Sequence, residues 1–387
     1  MRIGIDIVST MKIVNKMAVY TGGTNYVKSI LKAIKEKNDC PDVKILIIVP
    51  TGFVPKEEDK ELFSDERFEF IYTDSLLSYD YQKVDIMFLP QVNGLTLREI
   101  PKIKQKNPSM KIYATLHDRQ HNFYRFDWYD RYYYEGLKRT GIPMLLEYFL
   151  KKVVFTYEYG RCVSYIDKIF TVSNHSMQEL MHQNVANIKY FIQNDIVQRY
   201  KPLKTSMAKY ILFVGGGRPE KNLLRTLEAF CTYKNKNAAD IKMIITGVSD
   251  NLVDSFIQSG KIDKKLIETE VKFLSYVSYQ ELAELYAGCR YTVFTSKGEG
   301  YGLPVREAMG FGKTILASRT TSVPEVAGAA LYYVDPFDVE SIYRGFEYLG
   351  DDANLKRYEN YIARRNEIVK MVSEQDTQIF MDELLNA

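Results

Sequence analysis

Apolar residues along this chain fall into short, nearly continuous runs separated by stretches in which they recur every three or four positions. Residues 3–8, 44–50, 68–72, 86–89 and 111–116 form such runs. Short runs of β-branched and other apolar residues predict strands buried on both faces of a parallel sheet. Between the first two, Val27, Ile30, Leu31 and Ile34 fall on one face of a helical pattern and lysines on the other. The alternation resumes at 168–173, a strand leading into a Ser-capped helix.

A second series of runs occupies 210–214, 242–247, 271–274, 291–294 and 314–317, and 339–385 is charged and amphipathic. Strand–helix alternation of this kind predicts α/β layers. Polar residues around Pro202, at 198–207, read as the linker. The expected architecture is two Rossmann-like domains facing across a cleft, at 1–200 and 208–365, with a helix at 366–387 packing back on the first. Ligands of such sheets lie at the carboxyl ends of the strands.

One stretch breaks the alternation. Residues 120–165 hold much of the aromatic content, including Trp128 and a Tyr132-Tyr133-Tyr134 run. They are read as an insertion in the first domain. Residues 101–152 carry eleven Lys and Arg against five acids, a local charge of +6 in a chain whose total is +3. A basic, Tyr- and Leu-rich segment suits an anionic membrane surface. It equally suits a packed helical pair or a saccharide groove.

The whole-chain figures set limits. With 387 residues, 46% hydrophobic and 26% charged, this is not a disordered or collagen-like chain. A charge of +3 argues against nucleic acid as a partner. The first residues contain no apolar region of leader length. Cys40, Cys162, Cys231 and Cys289 lie far apart and read as reduced thiols of a cytoplasmic protein.

Two loops carry candidate chemistry. Residues 215–222 (GGGRPEKN) link a strand to a helix, where Gly216 and Gly217 permit close backbone approach and Arg218 and Lys221 supply cations. The same loop also reads as a plain tight turn with solvated charges. Residues 296–310 set Glu299 eight positions before Glu307, around Gly300, Tyr301, Gly302, Leu303 and Pro304. Two carboxylates flanking glycine amides suit hydroxyls on either side of a phosphate, although Glu307 also simply complements a helix dipole. Gly312-Lys313-Thr314 lacks the first glycine of a phosphate loop. His117 and Asp118 end a first-domain strand, and with His121 they offer no third ligand at zinc spacing. No metal site is expected.

These residues resemble the retaining GT-B glycosyltransferases of the group 1 class, family 4. The resemblance rests on 213–222, the 299–307 E-x7-E element, Ser322-Val323-Pro324-Glu325 and Asp335-Pro336. It covers nearly the whole second half of the chain, and more weakly Gly22-Gly23, 116–118 and 170–176. It implies a nucleotide-sugar as co-substrate, with no cofactor. By that resemblance Lys221 neutralises the donor diphosphate, with Arg218 substituting for an arginine the family carries where Gly216 stands. Glu307 takes the ribose hydroxyls and Glu299 faces the transferred sugar. The amides of Gly302 and Leu303 lie near the phosphates, and Tyr276 near the base. His117 and Asp118, with Gly22 and Gly23, approach the sugar from the first domain. The implied activity is metal-independent hexosyl transfer from GDP-mannose or a UDP-hexose to a saccharide or lipid-linked acceptor; the basic, aromatic segment adds the expectation of a cytoplasmic protein peripheral on the inner face of the membrane. The alternatives are an inactive nucleotide-sugar-binding partner of a heteromeric transferase and a GT-B isomerase.

Overall fold

A computed structural model describes residues 1–14, 17–20, 22–37, 42–92, 94–117, 127–133, 142–178, 185–188 and 210–385. The chain forms two compact units. The first comprises Met1–Arg119, Lys151–Gln193 and Lys370–Ala387; the second comprises Gln120–Leu150 and Asn194–Val369.

In chain order, the elements up to residue 187 are β1 (Arg2–Asp6), β2 (Met11–Val14), β3 (Met17–Tyr20), α1 (Gly22–Glu36), β4 (Lys44–Val49), β5 (Phe68–Tyr72), β6 (Ile86–Leu89), α2 (Gly94–Lys106), β7 (Lys111–Leu116), α3 (Ile142–Val163), β8 (Lys168–Thr171), α4 (Asn174–Gln178) and β9 (Val185–Asn187). Seven strands make a parallel sheet in the order β5-β4-β1-β6-β7-β8-β9. The apolar runs become its interior because the central strands are covered on both faces; β6 is buried throughout, whereas the edge strand β5 stays partly exposed. The β2–β3 hairpin is unannounced in the sequence, where no Asn-Gly pair marks a turn.

The second unit continues with β10 (Tyr210–Phe213), α5 (Leu223–Asn237), β11 (Lys242–Thr246), α6 (Asp250–Gln258), α7 (Lys264–Glu270), β12 (Val271–Leu274), α8 (Tyr279–Gly288), β13 (Thr292–Phe294), α9 (Leu303–Gly310), β14 (Ile315–Ser318), α10 (Val323–Ala327), β15 (Tyr332–Val334), α11 (Val339–Leu349) and α12 (Asp352–Leu385). Its parallel sheet runs β12-β11-β10-β13-β14-β15. The chain fills one side from β10 outward, then returns to start the other side at β13. The switch point between β10 and β13 is where an open α/β sheet leaves a crevice at its strand ends. Phe213, Leu224, Leu227, Phe230 and Phe346 are among the buried residues that fill its core.

Two boundaries differ from the sequence reading. The terminal helix starts at Asp352, and its residues up to Val369 belong to the second unit. There Arg365 Nε donates to Val326 O at 3.0 Å, closing the end of α10. Farther along, Phe380 is buried against Phe88 and Phe170 in the first unit, with ring centroids 5.5 and 4.8 Å away. The second difference concerns 120–165, which the sequence assigned to the first domain. Residues 120–150 group with the second unit, because charges on 127–133 find their partners there. The linker at 198–207 lies outside the described residues. Cys162, Cys231 and Cys289 are free and buried, and burial pushes the Cys231 thiol up to about 11.

Candidate functional site

The loops after β10 and β13 meet at the switch point of the second sheet. Glycines let the first of them lie flat against its neighbour. Gly215 has φ +78°, and its amide and that of Gly216 donate to Thr246 O at 3.1 and 2.9 Å. A Cβ on Gly217 would sit 2.4 Å from Gly247 O, and one on Gly216 2.6 Å from Leu223 Cδ2. These two glycines are therefore demanded by packing, and an arginine does not fit at 216. The chain then makes a 3-10 turn, Pro219–Lys221, and enters α5 through Asn222 at φ 64°.

That turn drives Lys221 inward. Its ammonium donates to Glu299 Oε1 at 2.6 Å, with side chains only 7% and 9% exposed, and it sits 5.0 Å over the Phe294 ring. Ser296 Oγ donates to the same carboxylate oxygen at 2.6 Å. The two loops are also stitched through backbone: Lys297 N donates to Glu220 O at 2.8 Å and Asn222 Nδ2 to Thr295 O at 3.1 Å. The 296–299 loop is gripped from the far side too. Thr321, a β-branched residue at φ 47°, accepts the Glu299 amide at 2.9 Å, and Ser322 Oγ donates to Glu299 O at 3.0 Å. A β-branched side chain in left-handed backbone costs about 1–3 kcal/mol and marks a position held for another reason.

Glu307 lies one turn into α9. Tyr286 Oη donates to its Oε2 at 2.7 Å. Burial pushes its carboxyl above the usual range, with the Tyr286 bond and the Lys221 charge opposing. Gly302, at φ +94°, precedes Leu303, the first residue of α9, and no side chain caps the helix. Tyr301 is buried and Gly300 completes the turn. Two other candidates of this unit are exposed. Arg218 is paired with Glu220 at 3.0 Å with its side chain 59% exposed. Tyr276 is 75% exposed. Lys221 and Glu299 form the buried pair, and Glu307 lies within range of the Lys221 charge.

In the first unit, His117 follows β7. Its ring lies 2.9 Å from Pro90 O through Nε2 and edge-on to Tyr26 at 4.9 Å. Burial lowers its pKa, outweighing the Pro90 bond, so the imidazole is neutral at pH 7 and Nε2–H donates to the carbonyl. Gly22 starts α1. A Cβ on Gly23 would meet Gln91 Oε1 at 2.1 Å, so that glycine admits the Gln91 side chain. Asp118 and His121 lie outside the described residues.

Sequence reasoning missed four residues beside Lys221 and Glu299. Arg225, in the first turn of α5, forks Asp127 at 2.8 and 3.1 Å. Lys297 bonds Asp130, and reaches Asp127 Oδ2 at 3.4 Å. All four side chains are at most 7% exposed. Burial pushes the Asp127 carboxyl up, but Arg225 and Lys297 outweigh it and hold the group below the usual range. The partners are 98 to 170 positions apart, beyond any local spacing rule. Tyr133 Oη accepts the Leu224 amide at 3.1 Å, capping a helix whose Asn222 makes no side-chain cap.

Residues 195–366 match the family model described as Glycosyl transferases group 1. The chain is 28% identical over 191 residues to O-antigen chain mannosyltransferase B of Escherichia coli, spanning 45% of this chain and 49% of that one. It is 28% identical over 254 residues to O-antigen chain mannosyltransferase RfbU of Salmonella typhimurium, spanning 65% and 64%. The match to the serotype-specific mannosyltransferase WbdA of E. coli, 26% identical over 223 residues, covers 26% of that protein. The chain therefore spans from about a quarter to just under two thirds of these relatives. Sucrose-phosphate synthase of Thermosynechococcus elongatus superposes with TM-score 0.69 at 13% identity, covering 100% of this chain and 99% of that one. Trehalose-6-phosphate synthase OtsA does so at 0.65 and 10%, covering 99% and 98%. At such identities the likeness concerns fold alone, and the fold is GT-B.

Proposed function

We propose that the protein is a retaining, metal-independent glycosyltransferase that moves a hexosyl unit from a nucleotide-sugar, GDP-mannose or a UDP-hexose, to a saccharide or lipid-linked saccharide in cell-surface glycan synthesis. The observation that carries this reading is the buried Lys221–Glu299 pair at the switch point, with Glu307 one turn into the adjoining helix. The mannosyltransferase relatives favour mannose and polysaccharide assembly.

Transfer requires stabilisation of a leaving diphosphate and of an oxocarbenium-like sugar. In this reading the Lys221 ammonium exchanges Glu299 for a diphosphate oxygen. The amides of Gly302 and Leu303, at the start of α9, complete an anion site. Glu299, released from Lys221, faces the sugar hydroxyls. Glu307 accepts from the ribose and is held by Tyr286. His117, neutral and anchored on Pro90, and Asp118 are assigned to the sugar by the family resemblance. The acceptor proton passes to the leaving phosphate oxygen on the same face, so no protein nucleophile is used.

Incubation with GDP-mannose, UDP-glucose and UDP-N-acetylglucosamine, each with a lipid-linked saccharide acceptor, tests the reading. Transfer from one of them with retained anomeric configuration is expected. Inversion, or binding without transfer or donor hydrolysis, refutes it; the second result favours the inactive-partner alternative.

The acceptor side includes an anionic membrane surface. Helix α3 exposes Leu146, Phe149, Leu150, Val153, Val154 and Tyr157, each 47–67% exposed. Their spacing of i, i+3, i+4, i+7, i+8 and i+11 makes one apolar stripe. Among the described residues no helix is long and apolar enough to cross a membrane. Co-sedimentation with phosphatidylglycerol vesicles at low salt, abolished by Leu150→Glu with Val153→Glu, is the expected result. Absence of binding by the unaltered protein refutes peripheral attachment.

A further inference from the structure

The 127–133 segment touches neither Lys221 nor Glu299 through any bond described above, yet it buries two carboxylates beside them. Asp130 takes the ammonium of Lys297, two residues before Glu299, and Asp127 takes the guanidinium of Arg225, three residues after Asn222. Asp130 therefore holds the second loop, and Asp127 reaches both sides, through Arg225 at the start of α5 and through Lys297. The segment is itself fastened at three further points. Tyr129 Oη donates to Glu228 Oε2 at 2.6 Å, Ser255 Oγ donates to Tyr132 O at 2.7 Å, and the Arg225 guanidinium lies 3.9 Å over the Tyr129 ring.

The charges balance within the group: two acids, Lys297 and Arg225. Lys297 is 1% exposed in its side chain, so water cannot replace Asp130 without opening the loop. Without the Asp130 charge the ammonium keeps only the Asp127 oxygen at 3.4 Å, which Arg225 already shares, and an undercompensated buried charge must shed its proton or move outward. Moving outward carries the backbone of 296–299 with it, and this backbone positions both the Ser296 hydroxyl and the Glu299 carboxylate around Lys221.

We infer that Asp127 and Asp130 are positioning residues that fix the Lys221–Glu299 geometry through Arg225 and Lys297. Their catalytic consequence rests on the transfer reading above; their effect on the loops does not. The segment acts as a strap, and its loss loosens both loops while leaving the first unit's sheet unchanged.

Hydrogen–deuterium exchange of the full chain tests this without any donor. Asp130→Asn is expected to speed amide exchange in peptides covering 295–303 by at least about tenfold, with peptides of β1, β4 and β6 unchanged. The double variant Asp130→Asn/Lys297→Met is expected to be no faster than the more damaging single, because the two residues act as one unit. Unchanged exchange at 295–303 in Asp130→Asn, or independent multiplication of the two single effects, overturns the proposal. If Asp130→Asn does not fold, Lys297→Met carries the same expectation at 295–303, and unchanged protection there overturns it equally. With an active donor, Asp130→Asn should lower kcat at least about tenfold and leave nucleotide affinity within about threefold. A loss of melting temperature with kcat per folded molecule unchanged would mean that the strap only stabilises. If no donor is turned over by the unaltered protein, the transfer reading fails while the exchange result still decides the strap.

Discussion

Replacing Lys221 by Met removes one half of an ion pair that is over nine-tenths buried and 2.6 Å long. Deleting one partner of such a pair costs about 3–5 kcal/mol, because the other charge stays desolvated and uncompensated. Ser296 Oγ still donates to Glu299, which places the cost toward the lower end. For a unit of this size each kcal/mol moves the melting temperature by about 2–4 °C. Lys221→Met should therefore melt about 6–12 °C lower. Adding Glu299→Gln removes the stranded charge while retaining an acceptor for Ser296. Removing both charges of a buried pair together is close to neutral, so the double variant should recover to within a few degrees of the parent. Activity should behave oppositely. Loss of a preorganised charge costs about 10²–10³-fold in turnover, and the double variant should remain as poor as the single. The assays are differential scanning calorimetry and nucleotide release from the active donor. Recovery of turnover in the double variant would refute a catalytic role for Lys221. A stability-neutral Lys221→Met would refute the buried pair.

Three further outcomes are expected. Glu307, lifted by burial, must be ionised to accept a ribose hydroxyl, so donor affinity should fall with decreasing pH through a midpoint above the ordinary carboxylate value of about 4.3; Glu307→Gln should erase that limb in a titration by calorimetry. Asp6 is fully buried and desolvation raises it to about 6, with bonds from Ser9 opposing. The native carboxyl keeps its proton while the unfolded chain has lost it, so this group's contribution is greatest below about pH 4 and is lost as pH rises through 6. It amounts to about 3 kcal/mol, and Asp6→Asn should remove that slope in urea denaturation; stability rising over the same interval because of Asp6 would contradict it. Tyr133→Phe deprives the Leu224 amide of its acceptor and should destabilise by about 1 kcal/mol, read from the urea midpoint.

The sequence announced the site loops because their requirements are local. Glycine, Pro304 and the spacing of Glu299 and Glu307 are dictated within a dozen residues, and both-face burial turned most strands into recognisable apolar runs. β15 (Tyr-Tyr-Val) and β9 are too short for that signal. What stayed hidden depends on partners far away. Asp127 and Asp130 count in the sequence only as acids of a basic stretch, yet both are buried against Arg225 and Lys297. The surplus of tyrosine over phenylalanine is also a long-range matter. Tyr129, Tyr133, Tyr26 and Tyr286 use their hydroxyls on Glu228, the Leu224 amide, Thr115 and Glu307, bonds that a phenyl ring cannot make.

Neither unit is a continuous stretch of chain, and that shapes its birth on the ribosome. Asp127 and Asp130 emerge long before Arg225 and Lys297 exist to neutralise them. Phe88 and Phe170 emerge some two hundred positions or more before Phe380 fills the space between them. At about 5–20 residues per second, the first sheet waits tens of seconds with an unfilled apolar site. A nascent chain of this design should call on holding chaperones through most of its synthesis, and severing it between residues 188 and 210 should yield two fragments that each lack part of their own interior.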